Sequence, residues 1–158
     1  MDAESLGILS RLIRGQRVGA LGTLRNGAPH VSMVVCAVSV DLSAFWVHLS
    51  RLAFHTQNIL QDPRVGLMIA EPDNGSGDPQ TLARVSMQGE AQPLAKGTQD
   101  FGEARSLYLA RFPEAIGNFE LGDFDLFRIE PQSARFVAGF GRIFNLGPAN
   151  FREAAAVK

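Results

Sequence analysis

The chain has 158 residues, 46% hydrophobic and 20% charged, enough for a single domain, 1–158, around one core. Its net charge of −1 offers no basic field for a nucleic-acid partner. One cysteine, Cys36, excludes a disulfide framework and a cysteine-built zinc site, and fits a reducing, cytoplasmic compartment.

Residues 4–14 place Leu6, Leu9, Leu12 and Ile13 at helical spacing, with Asp2 or Ser5 as cap and Gly15 as stop. This N-terminus lacks the basic start and unbroken apolar run of a signal peptide. Val18 to Leu24 reads as a strand, and Asn26-Gly27 as a two-residue hairpin turn. A second strand covers His30 to Val35 and continues to Val40; Asp41-Leu42-Ser43 turns it into a third, Phe45 to Leu49. Short turns between three strands predict an antiparallel meander. Leu52 to Leu60 reads as a helix that Asp62-Pro63 ends. Val65 to Ala70 is almost wholly apolar and therefore a central strand.

Residues 71–83 form a loop rich in Gly, Pro, Asp and Asn, better read as flexible surface than as a calcium loop. Arg84 to Ala91 is a strand. Thr98 to Phe112 is a helix with Phe101, Ala104, Leu107, Tyr108 and Phe112 on one face. Phe124 to Ile129 and Arg135 to Phe140 are the last strands, and the alanine-rich tail after Pro148 is a frayed helix. Six or seven strands with three helices, mainly β and in antiparallel order, predict a closed or partly closed barrel with helices outside. No stretch approaches the ~18 apolar residues of a membrane span.

Chemistry concentrates where the third strand meets the next helix. Ser50 and Thr56 supply hydroxyls, Arg51 a charged fork, His55 a further donor, and the helix start free N–H groups. This pattern suits a phosphate, but from the residue types alone an ordinary helix cap beside a solvated arginine is the commoner arrangement. His48 reads as a satisfied strand position, His30 as solvated, and Cys36 as a small buried residue. The three histidines have no metal-ligand spacing, so no metal is expected, and no side chain stands out as a catalytic acid or base.

The ordered set SRLAFHTQNILQDPRVGLMI, then a loop, then RVSMQGEAQPL resembles the pyridoxamine 5′-phosphate oxidase-like FMN-binding split-barrel superfamily. The haem-utilisation branch is the nearer match: Leu49-Ser50 with Leu52-Ala53, His55-Thr56 and Asn58, then Asp62-Pro63-Arg64, Tyr108 to Ala115, and Gly139-Phe140-Gly141. The likeness runs from about residue 5 to 146. It implies an antiparallel split β-barrel, and a homodimer with FMN at the subunit interface. It implies backbone groups of Ser32, Met33, Val34 and Val35 along the flavin, and Ser50, Arg51, His55 and Thr56 around its phosphate. Arg84, five residues before Gly89, would face the ring. The activity implied is that of an FMN-dependent oxidoreductase, with haem binding on the same fold as the alternative and a cofactor-free dimer as a third. The oxidase's substrate-contacting C-terminal segment has no counterpart. Nor does the C-terminal histidine that ligates haem iron in the nearer branch: here the histidines are His30, His48 and His55.

Overall fold

In the computed structural model, which describes residues 1–157, Asp2 begins the first helix by accepting a 2.8 Å hydrogen bond from the Ser5 N–H. Helix α1 (Ala3–Gly15) turns Leu9, Leu12 and Ile13 into the core. The hairpin β1 (Val18–Arg25) and β2 (Ala28–Val35) closes through Asn26 and Gly27, at φ 51° and 79°. Both central positions are left-handed, as a type I′ turn requires.

The expected meander forms with a break in its second strand. The strand breaks at Cys36, whose N–H donates to the Arg17 carbonyl at 3.1 Å, and resumes as β3 (Ala37–Val38). Strand β4 (Phe45–Ser50) pairs with β3 and, over its whole length, with β7 (Phe124–Val137), not with β2. The bend at Cys36 carries one strand from β1 on one side to β4 on the other, and this curls the sheet. Helix α2 (Phe54–Gln61), β5 (Arg64–Ala70) and β6 (Arg84–Pro93) follow. Then come α3 (Gln99–Arg111), α4 (Ile116–Glu120), β7, β8 (Ile143–Leu146) and α5 (Pro148–Ala156). The strand order is β2-β1-β5-β6-β7-β4-β3, antiparallel throughout, with β8 beside β7. The result is a curled split barrel with flanking helices, and β5 is central as its composition predicts.

The last two expected strands are one. Strand β7 runs through Pro131, which sits opposite Gly89 where the register slips between Gln88 and Gly89. A proline lacks the ladder N–H and is tolerated at such a bulge. The tail helix is not frayed, because Phe151 and Ala154 of α5 are fully buried. Phe151 meets Phe45 edge to face, with centroids 6.4 Å apart. Among the described residues no helix is long and apolar enough to cross a membrane.

Two clusters make the core. The barrel interior gathers Leu21, Val47, Leu67, Val85, Phe127 and Phe136 with the buried faces of α1 and α5. A second cluster packs Trp46 and Leu126 beneath Ala104 and Tyr108 of α3 and Phe112 just after it, while Leu107 stays exposed beside that face. Each fully buried large side chain contributes on the order of 1.5–3 kcal/mol. Helix α2 lies against β1 and β2 with Asn58 donating to Thr23 Oγ1 at 3.0 Å, both residues buried.

A Cβ at Gly89 would come 2.4 Å from the Glu130 carbonyl oxygen, whereas one at Gly102, within α3, meets nothing within 4 Å. Gly89→Ala is therefore expected to destabilise by about 1–3 kcal/mol, and Gly102→Ala to stabilise by roughly 0.5–1 kcal/mol. Urea unfolding of the two variants checks this; equal effects would contradict the close packing at the bulge.

Candidate functional site

Helix α2, which follows β4, packs against β1 and β2. Here the fold brings Ser32 and His55 together: Ser32 Oγ lies 3.0 Å from His55 Nδ1. His30 stands close by. Its Nδ1 is buried without a partner, so it is not the solvated residue its position suggests. Burial first, and the neighbouring His30 second, lower the His55 pKa. Phe54 sets its ring edge-on to His30, 6.2 Å between centroids, and carries the Arg25 guanidinium 4.3 Å above its face. Phe54 is 53% exposed and Leu52 80% exposed, so the corner presents apolar surface beside two imidazoles.

The remaining expected site residues separate. Arg51 directs its fork at Asp125, with Nε at 2.6 Å and Nη2 at 2.8 Å from the two carboxylate oxygens. Ser50 Oγ donates to Asp123 at 2.8 Å. Thr56 is fully buried and its hydroxyl has no partner. Val34 points into the barrel core, while Met33 and Val35 lie on the outer face of the sheet, Met33 72% exposed. Arg84 opens β6, separated from β2 in the sheet by β1 and β5, and its Nη1 donates to the Gln80 and Leu82 carbonyls.

His48 is neither exposed nor satisfied. It is 8% exposed, lies flat on Phe119 (3.7 Å between centroids, 9° between planes), and leaves Nδ1 buried without a partner. Phe124 and Tyr108 stand 5.1 Å and 5.8 Å away, and Arg105 sits 5.3 Å from the Phe119 centroid. Burial, aided by Lys96 and opposed by Asp125, brings the His48 pKa down to about 4. Cys36 is buried and its thiol is pushed up to about 11 by desolvation.

Set beside known proteins, residues 9–138 match the family model described as pyridoxamine 5′-phosphate oxidase. The chain belongs to this family. Within it, the chain is 34% identical over 146 residues to the chloroplastic haem oxygenase HOZ of Arabidopsis thaliana. That match covers 90% of this chain and 42% of HOZ, so the chain spans less than half the length of this relative. It is 26% identical over 122 residues to the haem oxygenase HutZ of Vibrio cholerae, covering 77% of this chain and 68% of HutZ. A haem binding protein from Mycobacterium smegmatis superposes with a TM-score of 0.84 at 25% identity, over 94% of this chain and 60% of that one.

These relatives overturn the expected FMN-binding flavoprotein and oxidoreductase, since each is named for haem and none for flavin. The geometry gives a physical reason. Two of the four donors meant for the flavin phosphate, Ser50 and Arg51, already face carboxylates.

The neutral, buried His48 ring makes stability depend on pH. Protonating a group that the folded protein keeps neutral favours the unfolded chain. This contribution is complete above pH ~6.5 and drains as pH falls toward 4. Between pH 7.5 and 5 the wild type is expected to lose about 2 kcal/mol through His48. Urea unfolding at the two pH values checks this: His48→Phe should flatten the dependence by that amount, and an unchanged dependence would contradict the assignment.

Proposed function

We propose that this chain binds haem, as a haem-utilisation member of the pyridoxamine 5′-phosphate oxidase family. The observation that carries the reading is the 34% identity to haem oxygenase HOZ sustained over 90% of the chain. The proposal concerns binding, because the match leaves more than half of HOZ without a counterpart here.

The residues of the β2–α2 corner fit such a ligand. Haem supplies an iron that takes an imidazole, a flat apolar ring, and two carboxylates. The corner supplies His30 and His55, the exposed rings and methyls of Phe54 and Leu52, and Arg25, which is in none of the ion pairs among the described residues. The outer face of β2–β1–β5 adds Val18, Val31, Met33, Val35 and Met68, all exposed. A continuous apolar strip on an uncovered sheet face suits a second copy of the chain, and the reading includes a homodimer formed through it.

Titration with hemin, followed by the Soret band, tests the proposal. The expected result is a shifted band that saturates at one haem per chain, with sedimentation equilibrium at twice the 17.1 kDa chain mass. A spectrum that stays that of free hemin would refute haem binding, and a species at the single-chain mass would refute the dimer.

A further inference from the structure

We infer that Nε2 of His55 is the iron ligand, with Ser32 as the positioning residue that holds the ring; this rests on the haem reading above. The chain has three histidines. His48 is sealed: Phe119 covers one face of its ring, Tyr108 and Phe124 stand around it, and it lies in the second core cluster's neighbourhood, beneath α3 and α4. His30 has its Nδ1 buried and Phe54 against its ring. His55 differs from both. It is half-buried in the first turn of α2, its Nδ1 is held 3.0 Å from Ser32 Oγ, and Nε2 is the nitrogen left over.

That division of labour is the one a metal-bound imidazole uses. One ring nitrogen takes the metal while the other donates its N–H to an oxygen, which fixes tautomer and orientation. In the tautomer this assignment requires, Nδ1–H donates to Ser32 Oγ, and Nε2 keeps its lone pair for the iron. Ser32 can hold the ring because α2 seats directly against β2. The surroundings match the rest of the ligand: Phe54 and Leu52 for the ring, Arg25 for a propionate.

Exposed methionines apart, the other candidate ligands are absent from the surface or buried. The groove of about 450 Å³ over Gly22 and Gly66, on the outer face of the sheet, is lined by Leu24, Pro29, Gln88 and Glu90 and contains no histidine, cysteine, methionine or tyrosine. Cys36 and Tyr108 are buried in the two core clusters. Met33 is exposed and offers a thioether, which makes it the natural control.

The test loads wild type, His55→Ala, His55→Met, His30→Ala, Ser32→Ala and Met33→Leu with hemin and reads the Soret band and the ferrous iron–histidine stretch by resonance Raman. In the wild type, His30→Ala and Met33→Leu the iron–histidine stretch is expected. It should vanish in His55→Ala and return with added imidazole. His55→Met, which keeps a long side chain at the site, should lose the stretch even if His55→Ala fails to fold. Ser32→Ala should keep imidazole ligation but shift the stretch and weaken hemin binding about tenfold or more. An iron–histidine stretch surviving in His55→Ala or His55→Met would overturn His55 while leaving haem binding intact. Bound hemin without that stretch in the wild type would do the same. A wild type that takes up no hemin would remove the haem reading itself, and the ligand assignment with it.

Discussion

The seat of α2 against β1 and β2 is the constraint on which the site depends. Two side-chain hydrogen bonds define it: Asn58 to Thr23, inside, and the Ser32–His55 pair, nearer the rim. Both partners of the inner bond are buried, so losing either would leave an unsatisfied polar group at a cost of about 1–3 kcal/mol. That inner bond holds the helix on β1. The outer pair uses the helix, so placed, to aim an imidazole. Along the edge of this seat one strand changes partners at Cys36, pairing with β1 before it and β4 after it.

Charge decides what the neighbouring corner can hold. The Arg51–Asp125 pair is about half exposed on the arginine side and, as a surface ion pair, is worth only ~0–1 kcal/mol. Its strength is therefore not the obstacle to a phosphate. The obstacle is the sum: Asp123 and Asp125 against one arginine, with Asp125 held ionised by its hydrogen bonds to Arg51. Arg25, over the Phe54 ring that meets His30, is a cation paired with neither carboxylate.

What the sequence disclosed was local. The Asp2 cap, the Asn26-Gly27 turn, the apolar centre of β5 and the helix after β4 follow from rules that span a few residues. The resemblance extended this to the family and the barrel. What it could not disclose depended on distant partners. The bend at Cys36 needs the Arg17 carbonyl, the continuity of β7 through Pro131 needs the bulge at Gly89, and the burial of α5 needs α1. Site chemistry divides in the same way. Arg51 looked like a phosphate fork because Asp125, 74 positions on, is not adjacent in sequence. His48 looked satisfied because Phe119 arrives from the short helix α4, which no pattern announced. The Ser32–His55 pair joined two residues that the resemblance had named separately.

The most direct measurement of the central claim is the iron position in crystals grown with hemin, from anomalous scattering at the iron edge. That peak is expected within coordinating reach of His55 Nε2, with the Ser32–His55 hydrogen bond kept. A peak over the Gly22–Gly66 groove, or beside another side chain with His55 still turned only to Ser32, would contradict it.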